Sequence, residues 1–579
     1  MLLSVVVFFV LLWLLGYPLA LGVKFSSREE RVAMTFGLGL AVFPLLSVML
    51  NWLSVPLHIL TYVTLGVVSS VLVWWRMPQR HKEERELVPA MMALLLALVV
   101  VVVFSFGAFR YAYLEDDDPW FHAMGVKYVA EHWTYSLDPA HWIRSYLEPY
   151  PPSYDVLMGV LRQTNDSVQG TLKLFNVFLV GFAHLFFFFF ARAVLQRTSY
   201  ALFASVVLVV APGFAGHFIW AQSLNIALMF PALLSVIKGW PWYVTTLLFA
   251  GVGLSQLSSA VAIYGMAFLL AAIGKKWQQI ACLGLAGVIA LSVFYVPMIE
   301  KYGWDRFKEG NSIFGETFSG GAESDTSGSF VYGWRDFVDV PLVTRIDQPT
   351  GFGSVIVFLA VAGLAVLLWR RSKVTPWWLS VVAVLLFTLA GLEGNTLPMK
   401  LFPHRFWPFL AVPVALLCAV SLVVVPAKMR VWVAFAAIIA LVVTAGYPKF
   451  VVQTTPWQPG GLWASKNELL GYLQLKDVLP RNTPILMLCT DRDEVVGLDF
   501  DSLPFDPDVL SLRRQFVNLT SQSLSEFMKR KQMEHVIIDN HCVKQHGKEK
   551  TGALLSAVRN STAFMVKFET SGMHLYKRA

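Results

Sequence analysis

The sequence predicts a polytopic α-helical membrane protein that ends in a small α/β domain. Of its 579 residues, 56% are apolar and 15% are charged, whereas a soluble domain is about 45–50% apolar and about 25% charged. Apolar runs of membrane-spanning length recur up to about residue 446, and the chain after them is charged with short apolar runs. The surplus of apolar residues must face lipid. This excludes a soluble enzyme, a disordered chain and a disulfide-rich secreted scaffold.

About fourteen transmembrane helices are predicted from the apolar runs, because a span needs about 20 mostly apolar residues. The first run has neither a basic N-terminal region nor a clear small-residue cleavage site, so we expect a membrane helix there rather than a cleaved signal peptide. The runs lie at 5–23, 32–50, 57–75, 88–109, 171–191, 199–213, 223–238, 241–256, 257–274, 278–298, 351–369, 375–391, 406–426 and 429–446.

Charge in the short connections predicts the topology. The positive-inside rule places connections rich in Lys and Arg in the cytoplasm. Here these connections are 24–31, 76–86, 192–197, 238, 275–276, 370–373 and 428–430. We therefore expect an integral protein of the cell membrane whose N-terminus and C-terminal domain are extracytoplasmic. The long loops 110–170 and 299–350 fall on the same outer side.

The chain divides into three predicted regions, namely N-terminal transmembrane helices (1–87), the main transmembrane region with both long loops (88–446) and the extracytoplasmic α/β domain (447–579). In the last region, alternating short patterns predict helices 463–479 and about 521–532 and strands 484–489, 535–539 and 573–577. Cys489 and Cys542 lie at or just after two of these strands. Two free thiols and, in an oxidising compartment, a disulfide are both compatible with the sequence.

Four consecutive acids, Glu115, Asp116, Asp117 and Asp118, follow the fourth apolar run and precede Pro119. Asp is a good helix N-cap and Pro favours the first helical position, so Asp118 can be explained as a cap. Adjacent carboxylates repel one another, however, and are best tolerated beside a cation or a basic ligand. All three aspartates are therefore candidate catalytic residues, and Asp116 and Asp118 are candidate ligands of a divalent cation, Mn²⁺ or Mg²⁺.

Two histidines are further candidates. His122 follows the acidic run in a segment rich in aromatic residues, a composition typical of an interfacial helix. His217 lies in the short turn 212–225, which also holds Gln222 and Asn225 but no carboxylate. A lone histidine in an interfacial segment is more often an interface residue than a ligand.

Three cations, Lys400, His404 and Arg405, stand at the start of a late apolar run. Cations near a helix N-terminus oppose the helix dipole, so an anionic partner explains them better. Phosphate fits, because Arg presents a planar fork to it, and ordinary lipid headgroups are the alternative. In the long loop 299–350, Glu316 lies in a Gly- and Ser-rich stretch and is a candidate second acid.

These segments resemble a known family. The stretch 117–122 (DDPWFH), followed by 126–129 (VKYV), resembles the first outer loop of the archaeal-type oligosaccharyltransferase catalytic subunit and, more broadly, of the GT-C superfamily of polytopic glycosyltransferases. The stretch 150–152 (YPP) and the helix start at 404–416 (HRFWPFLAVPVAL) are similar to later segments of the same family. The resemblance covers about residues 88–480.

The resemblance implies a GT-C-like transmembrane catalytic region and a membrane glycosyltransferase. Asp118 would be the catalytic or metal-binding carboxylate. Arg405, with Lys400 or His404, would bind the phosphate of the donor, and Glu316 would help to position acceptor and metal. The donor would be a polyprenyl (dolichyl-type) phosphate or pyrophosphate that carries a sugar or oligosaccharide, and the acceptor an extracytoplasmic protein or glycan. Membrane lipid is a further partner, and nucleic acid is not expected.

The C-terminal domain departs from this family. Residues 489–494 (CTDRDE) stand where oligosaccharyltransferases carry W-W-D-Y-G, so the resemblance implies transfer from a lipid carrier but not recognition of an Asn sequon. Two alternatives stay open. One is a GT-C enzyme that uses a monosaccharide-phosphate lipid, as protein mannosyltransferases do. The other is a non-enzymatic lipid-carrier flippase or transporter, which would place ionisable residues at mid-membrane, whereas here the charges cluster at one outer face.

Overall fold

The computed structural model describes most of the chain as helices, with one small sheet near the C-terminus. Two predicted site residues, Glu316 and Lys400, lie outside the described residues. The described ranges are 1–76, 83–141, 145–311, 331–344, 348–370, 375–394, 403–460, 463–490 and 493–579.

In these ranges, seven helices are long and apolar enough to cross a membrane: Leu2–Leu21, Arg28–Trp52, Leu87–Ala108, Val168–Leu195, Trp277–Tyr302, Pro403–Val424 and Ala427–Thr454. Shorter apolar helices coincide with the other predicted runs: Ile59–Trp75, Thr198–Val210, Gln222–Lys238, Trp242–Gly253, Leu257–Ile273, Ser354–Arg370 and Trp378–Leu392. The prediction of a multi-pass helical membrane protein is confirmed, while the number of spans stays a prediction. The last long helix continues to Thr454, beyond the predicted end of its apolar run at residue 446.

The first two helices pack with their backbones in close contact. A Cβ atom at Gly16 would lie 1.8 Å from the Thr35 carbonyl oxygen, and one at Gly39 would lie 1.9 Å from that of Leu12. Only glycine fits at such a crossing, as is common where membrane helices meet through small residues. The N-terminal helices are therefore packed as an integral part of the bundle.

Several connections rich in Lys and Arg meet at one end of the bundle. Glu30 is fully buried and pairs with Arg192 at 2.5 Å and with Lys238. Arg192 also pairs with Glu86. Described residues from the predicted cytoplasmic connections 24–31, 76–86, 192–197 and 238 thus lie together, as a shared side of the membrane requires. That this side is the cytoplasm stays a prediction.

The C-terminal region forms a four-stranded sheet in the order β1-β2-β4-β3. Strand β1 (Ile485–Met487) runs parallel to β2 (His535–Asp539), and β4 (Met573–Arg578) is antiparallel to both β2 and β3 (Phe564–Glu569). The α/β prediction is confirmed, but strand β3 was not predicted. It lies at the edge of the sheet, and its side chains are mostly exposed. The helices of this region are Lys466–Val478, Glu494–Gly497, Pro507–Arg514, Ser521–Arg530, Asn540–His546 and Lys548–Arg559.

Strands β1 and β2 bring two cysteines together. Cys489 and Cys542 form a disulfide with their Cα atoms 4.9 Å apart. The sequence left this pairing open, and the parallel neighbours β1 and β2 decide it. Disulfides persist in oxidising compartments, which favours the predicted extracytoplasmic location of this region.

Replacing Cys489 and Cys542 together by Ser should lower the free energy of unfolding of the C-terminal region by about 2–4 kcal/mol. The bond restricts the unfolded chain by joining residues 53 positions apart. Pulse proteolysis of the full chain in a urea gradient measures the change. Dithiothreitol should destabilise the wild type equally and leave the double variant unchanged. A wild-type cleavage midpoint that does not respond to dithiothreitol would contradict this prediction.

Candidate active site

The helix Asp118–His132 presents the residues of the predicted site. Pro119 lies in its first turn, where a missing backbone N–H does no harm, and the helix dipole favours the Asp118 carboxylate at this end. Asp117, the residue before the helix, makes no capping hydrogen bond with its side chain. The Asp118 carboxylate instead accepts a hydrogen bond from the Tyr146 hydroxyl. Helix capping therefore does not explain Asp118.

This helix is buried inside the protein, although its composition predicted an interfacial helix. Trp120 and His122 are 1% and 2% exposed. A Cβ atom at Gly497, in the C-terminal region, would lie 2.5 Å from the Trp120 ring. The other side of the helix packs on the helix Ser153–Arg162. The helix Asp118–His132 is thus fixed between the helix Ser153–Arg162 and the C-terminal region, which gives its polar side chains defined positions.

The acidic run before the helix is tied to the segment that follows the last membrane helix. The Asp116 backbone, with φ of 53°, donates its N–H to the Gln458 carbonyl oxygen at 3.0 Å. The Asp116 carboxylate accepts from the Asp117 N–H at 2.8 Å. Gly460 packs on this turn, where a Cβ atom would lie 2.5 Å from the Asp116 carbonyl carbon. Asp116 and Asp117 thus belong to a tight turn beside the helix, and only Asp118 of the run lines the cavity described next.

One cavity brings Asp118 and Arg405 together from distant parts of the chain. Both residues line it, along with aromatic and amide side chains from three further segments. A carboxylate and a guanidinium on the wall of the same small cavity form a site for a ligand that carries both a negative group and a polar, reactive group. The polar side chains of the lining that matter here are Asp118, His122, Tyr146, Tyr150, Gln256 and Arg405.

Arg405 is held by the start of a neighbouring helix. It lies in the short turn Pro403–Phe406, and its Nη1 donates to the Ser258 hydroxyl at 2.8 Å. Its carbonyl oxygen accepts from the Gln222 side-chain amide at 3.1 Å. Ser258 is fixed in turn by the Gln256 amide at 2.5 Å. The guanidinium is therefore positioned before any ligand arrives.

Two tyrosines, Tyr146 and Tyr150, line the cavity together with Asp118 and Arg405. Burial raises the pKa of Tyr146 well above its ordinary value, and the adjacent Asp118 carboxylate raises it further. Burial also raises the pKa of Tyr150, although Arg405 acts in the opposite direction. Both hydroxyls therefore stay protonated at neutral pH, and that of Tyr146 donates its hydrogen bond to Asp118. Tyr146 and Tyr150 pack edge to face at 4.7 Å between ring centroids.

Glu115 and His217 belong to a separate, fully buried network. The Glu115 carboxylate accepts from the Tyr111 hydroxyl at 2.8 Å and from the Ile219 N–H at 3.1 Å. Burial raises the pKa of Glu115, with Lys173 acting in the opposite direction. Both ring nitrogens of His217 are hydrogen-bonded, to Tyr111 at 3.0 Å and to Gln453 at 2.8 Å. Burial lowers the pKa of His217 to about 4, so this histidine is a neutral structural residue at physiological pH.

The fold is similar to that of ArnT from Cupriavidus metallidurans bound to undecaprenyl phosphate, with a TM-score of 0.51 and 14% sequence identity over 84% of this chain and 98% of that one. A second similar structure is the archaeal oligosaccharyltransferase AglB from Archaeoglobus fulgidus in complex with an inhibitory peptide and a dolichol-phosphate. Its TM-score is 0.47, with 12% identity over 80% of this chain and 71% of that one. ArnT and AglB are both GT-C glycosyltransferases.

The chain has the GT-C fold. This confirms the fold that the sequence resemblance implied. No protein-family model and no curated protein sequence matches the chain, so the likeness lies in three-dimensional structure.

The structure separates the predicted donor-binding residues of this GT-C fold. His404 lines a different groove from its neighbour Arg405, together with Trp407 and Lys449. Lys400 and Glu316 lie outside the described residues. Of the predicted site residues that are described, the cavity therefore joins Asp118, His122 and Arg405.

The described residues provide at most part of a ligand set for the cation that the resemblance implies. Mg²⁺ is usually held by one or two carboxylates together with waters and substrate phosphates. Among the described residues there is no group of three or more His, Cys, Asp or Glu side chains arranged to hold a metal ion. Asp118 is the one carboxylate in the described lining of the cavity, and it shares the cavity with the cation Arg405. The Asp116 carboxylate bonds instead to the neighbouring backbone. No step below is derived through a metal.

Sequence reasoning missed three residues of this site. Tyr146 and Gln256 line the cavity, and Asp155 lies behind it in contact with His122. The sequence after Tyr150 offered a signal for Asp155. A carboxylate so soon after the Pro151-Pro152 break, in an otherwise apolar stretch, is unusual. Gln256 offered none, because it reads as an ordinary polar residue between two apolar runs.

Proposed function

We propose that this protein is a GT-C glycosyltransferase that moves a sugar or oligosaccharide from a polyprenyl phosphate or pyrophosphate to an extracytoplasmic acceptor. The observation that carries the proposal is the single cavity lined by both Asp118 and Arg405 in a GT-C fold. In transfer from a lipid phosphate, negative charge grows on the leaving phosphate and positive charge grows on the sugar. A fixed cation and a fixed anion on one cavity wall match these two charges.

Arg405 would bind the donor phosphate. Guanidinium presents parallel N–H donors that match phosphate oxygens. When the bond between the anomeric carbon and the phosphate oxygen breaks, its electron pair leaves with the phosphate. A cation already held in place by Ser258 stabilises that charge without reorganising, which lowers the barrier.

Asp118 would stabilise the other side of the reaction. The acceptor atom attacks the anomeric carbon as the phosphate leaves, so the sugar passes through a state with positive charge on its ring. The Asp118 carboxylate, oriented by the Tyr146 hydroxyl, lies on the wall where that charge and the acceptor would meet. Glu316, Asp116 and Asp117 remain candidates for acceptor positioning, and Lys400 and His404 for the donor phosphate.

The lipid in the ArnT complex favours a monophosphate as the first donor to test. That structure contains undecaprenyl phosphate, which supports the candidate that uses a monosaccharide-phosphate lipid. Transfer of an oligosaccharide from a pyrophosphate is the second donor class, and the same cavity would serve both.

The purified full chain in nanodiscs should move radiolabel from lipid-linked sugar to a water-soluble acceptor. The donors are labelled undecaprenyl-phosphate sugars and labelled lipid-linked oligosaccharides, each offered with peptides and glycans. We expect labelled product with at least one donor class and none with heat-inactivated protein. No transfer with any donor, together with movement of labelled lipid across the bilayer of proteoliposomes, would contradict the proposal and favour a lipid-carrier flippase.

A further inference from the structure

His122 and Asp155 form a buried pair directly behind the cavity. The His122 Nδ1 lies 2.5 Å from an Asp155 carboxylate oxygen, and the two side chains are 2% and 0% exposed. The helix Asp118–His132 carries the histidine and the helix Ser153–Arg162 carries the acid. Gly125 makes room for the pair, because a Cβ atom there would lie 2.1 Å from the second Asp155 oxygen. That second oxygen is buried and, among the described residues, has no hydrogen-bond partner.

The other ring nitrogen of His122 is left available to the cavity. His122 lines the cavity with Asp118 and Arg405. In the part of the chain that the structure describes, its Nε2 has no hydrogen-bond partner, and it is not among the fully enclosed polar atoms. We assign the Nδ1 proton to the bond with Asp155, because the buried carboxylate needs a donor. Nε2 then carries a lone pair toward the place where substrate would bind.

We infer that His122 is the general base of the transfer and that the acceptor it serves is an alcohol. The inference rests on the proposed function and names the acceptor class for that same cavity. Asp155 is the positioning residue, which holds the imidazole in the required tautomer and stabilises the imidazolium that forms. This division of roles follows the general logic of a base oriented by a buried carboxylate.

Groups in the cavity account for the acceptor's proton and for the leaving phosphate in this step. The oxygen of the acceptor hydroxyl forms a bond to the anomeric carbon, and its proton passes to the His122 Nε2. The bond from the anomeric carbon to the phosphate oxygen breaks, and the electron pair leaves with the phosphate beside Arg405. The imidazolium later returns its proton to water or to the released phosphate.

His122 is placed better than Asp118 to act as the base. One Asp118 oxygen already accepts a hydrogen bond from the Tyr146 hydroxyl. Histidine is the side chain that most often serves as a general base in enzymes. An alcohol offers one O–H to one lone pair, whereas the nitrogen of a carboxamide has its lone pair delocalised into the carbonyl group. A single imidazole therefore fits a hydroxyl acceptor.

The charges around His122 set the expected pH dependence. Asp155 contacts it from the neighbouring helix, Tyr154 lies 4.8 Å away and the Tyr146 ring stacks on it at 4.3 Å. Asp118 and Arg405 share the cavity with it. Burial raises the pKa of Asp155 to about 6, with His122 acting in the opposite direction. As the pH falls toward 6, Asp155 takes up a proton and no longer holds the imidazole as an anion, so the rate should fall on the acid side.

Four variants of the full chain in nanodiscs test the inference. His122→Gln should lower kcat by about 10²–10³-fold, because general base catalysis contributes about 10²–10⁴-fold, and should remove the acid limb near pH 6. Asp155→Asn should lower kcat less, and should also remove the acid limb because the carboxylate that takes up the proton near pH 6 is gone. His132→Gln, on the same helix but outside this cavity, should keep the wild-type rate and pH profile. External imidazole should restore part of the rate of His122→Ala.

Binding of undecaprenyl phosphate separates catalysis from folding. All variants should bind this lipid with the wild-type Kd, measured by tryptophan fluorescence. A wild-type rate and acid limb in His122→Gln would overturn the inference, and so would loss of lipid binding in step with loss of rate. Faster transfer to an amide-bearing sequon peptide than to every hydroxyl acceptor would also overturn it. If the wild type itself transfers no label, the proposed function fails, which is a different outcome from an active wild type with an equally active His122→Gln.

Discussion

Replacing Asp118 by Asn should lower the rate of sugar transfer by about 10²–10³-fold, the loss typical for one group that stabilises transition-state charge. Asn has the same shape and still accepts the hydrogen bond that Tyr146 now donates to Asp118. The change therefore removes the negative charge and little else. Initial rates with labelled donor, at saturating donor and acceptor, measure the effect.

Glu131→Gln is the matched control for this variant. Glu131 lies on the same helix and is half exposed, in an ion pair with Lys127, and it does not line the cavity. The same loss of one carboxylate charge should leave the transfer rate within about twofold, because exposed ion pairs contribute little. An Asp118→Asn protein that binds lipid, melts like the wild type and keeps its full rate would remove Asp118 from the site.

Arg405→Ala should weaken binding of undecaprenyl phosphate by about 10–100-fold, because hydrogen bonds to a charged group contribute about 1.5–3 kcal/mol. It should also lower kcat, since the charge on the phosphate is larger in the transition state than in the bound donor. Arg405→Lys keeps the charge but loses the fork that also reaches Ser258, so we expect an intermediate effect. The Kd from tryptophan fluorescence and the kcat from labelled transfer separate the two effects.

Arg197→Ala is the control for the loss of a cation. Arg197 is exposed in the connection 192–197, packs its guanidinium on Tyr200 and does not line the cavity. Lipid phosphate binding should be unchanged in this variant. Equal weakening by Arg197→Ala and Arg405→Ala would mean that the lipid responds to net charge rather than to a defined site.

The four acids at 115–118 show how far sequence reasoning could go at the site. Their repulsion and the resemblance of the following residues singled out the run, and Asp118 within it. The different surroundings of these acids followed only from packing. Glu115 turns inward to Tyr111, Asp116 bonds to the next backbone N–H, and Asp118 meets Tyr146 at the cavity. Neighbouring side chains on a turn point in different directions, and sequence alone does not give those directions.

The His122–Asp155 pair could not be predicted for a related reason. The two residues are 33 positions apart and lie on two different helices. No spacing in the sequence shows which faces of these helices meet. Their contact depends on the close approach that Gly125 permits. Sequence reasoning therefore gave His122 only as a further candidate, with an interface residue as the alternative, and did not consider Asp155.

The sequence by itself determined the class of this protein, because a bilayer demands long apolar runs and because short apolar runs in a charged tail indicate buried strands. It also determined the two segments that hold Asp118 and Arg405. The tertiary structure alone decided that these segments share one cavity, that Cys489 meets Cys542, and that Asp155 contacts His122. The physical reason is that hydrophobic patterning is a local property that each segment carries with it. A site is made by a few polar contacts between segments, whose geometry is fixed only when the helices pack.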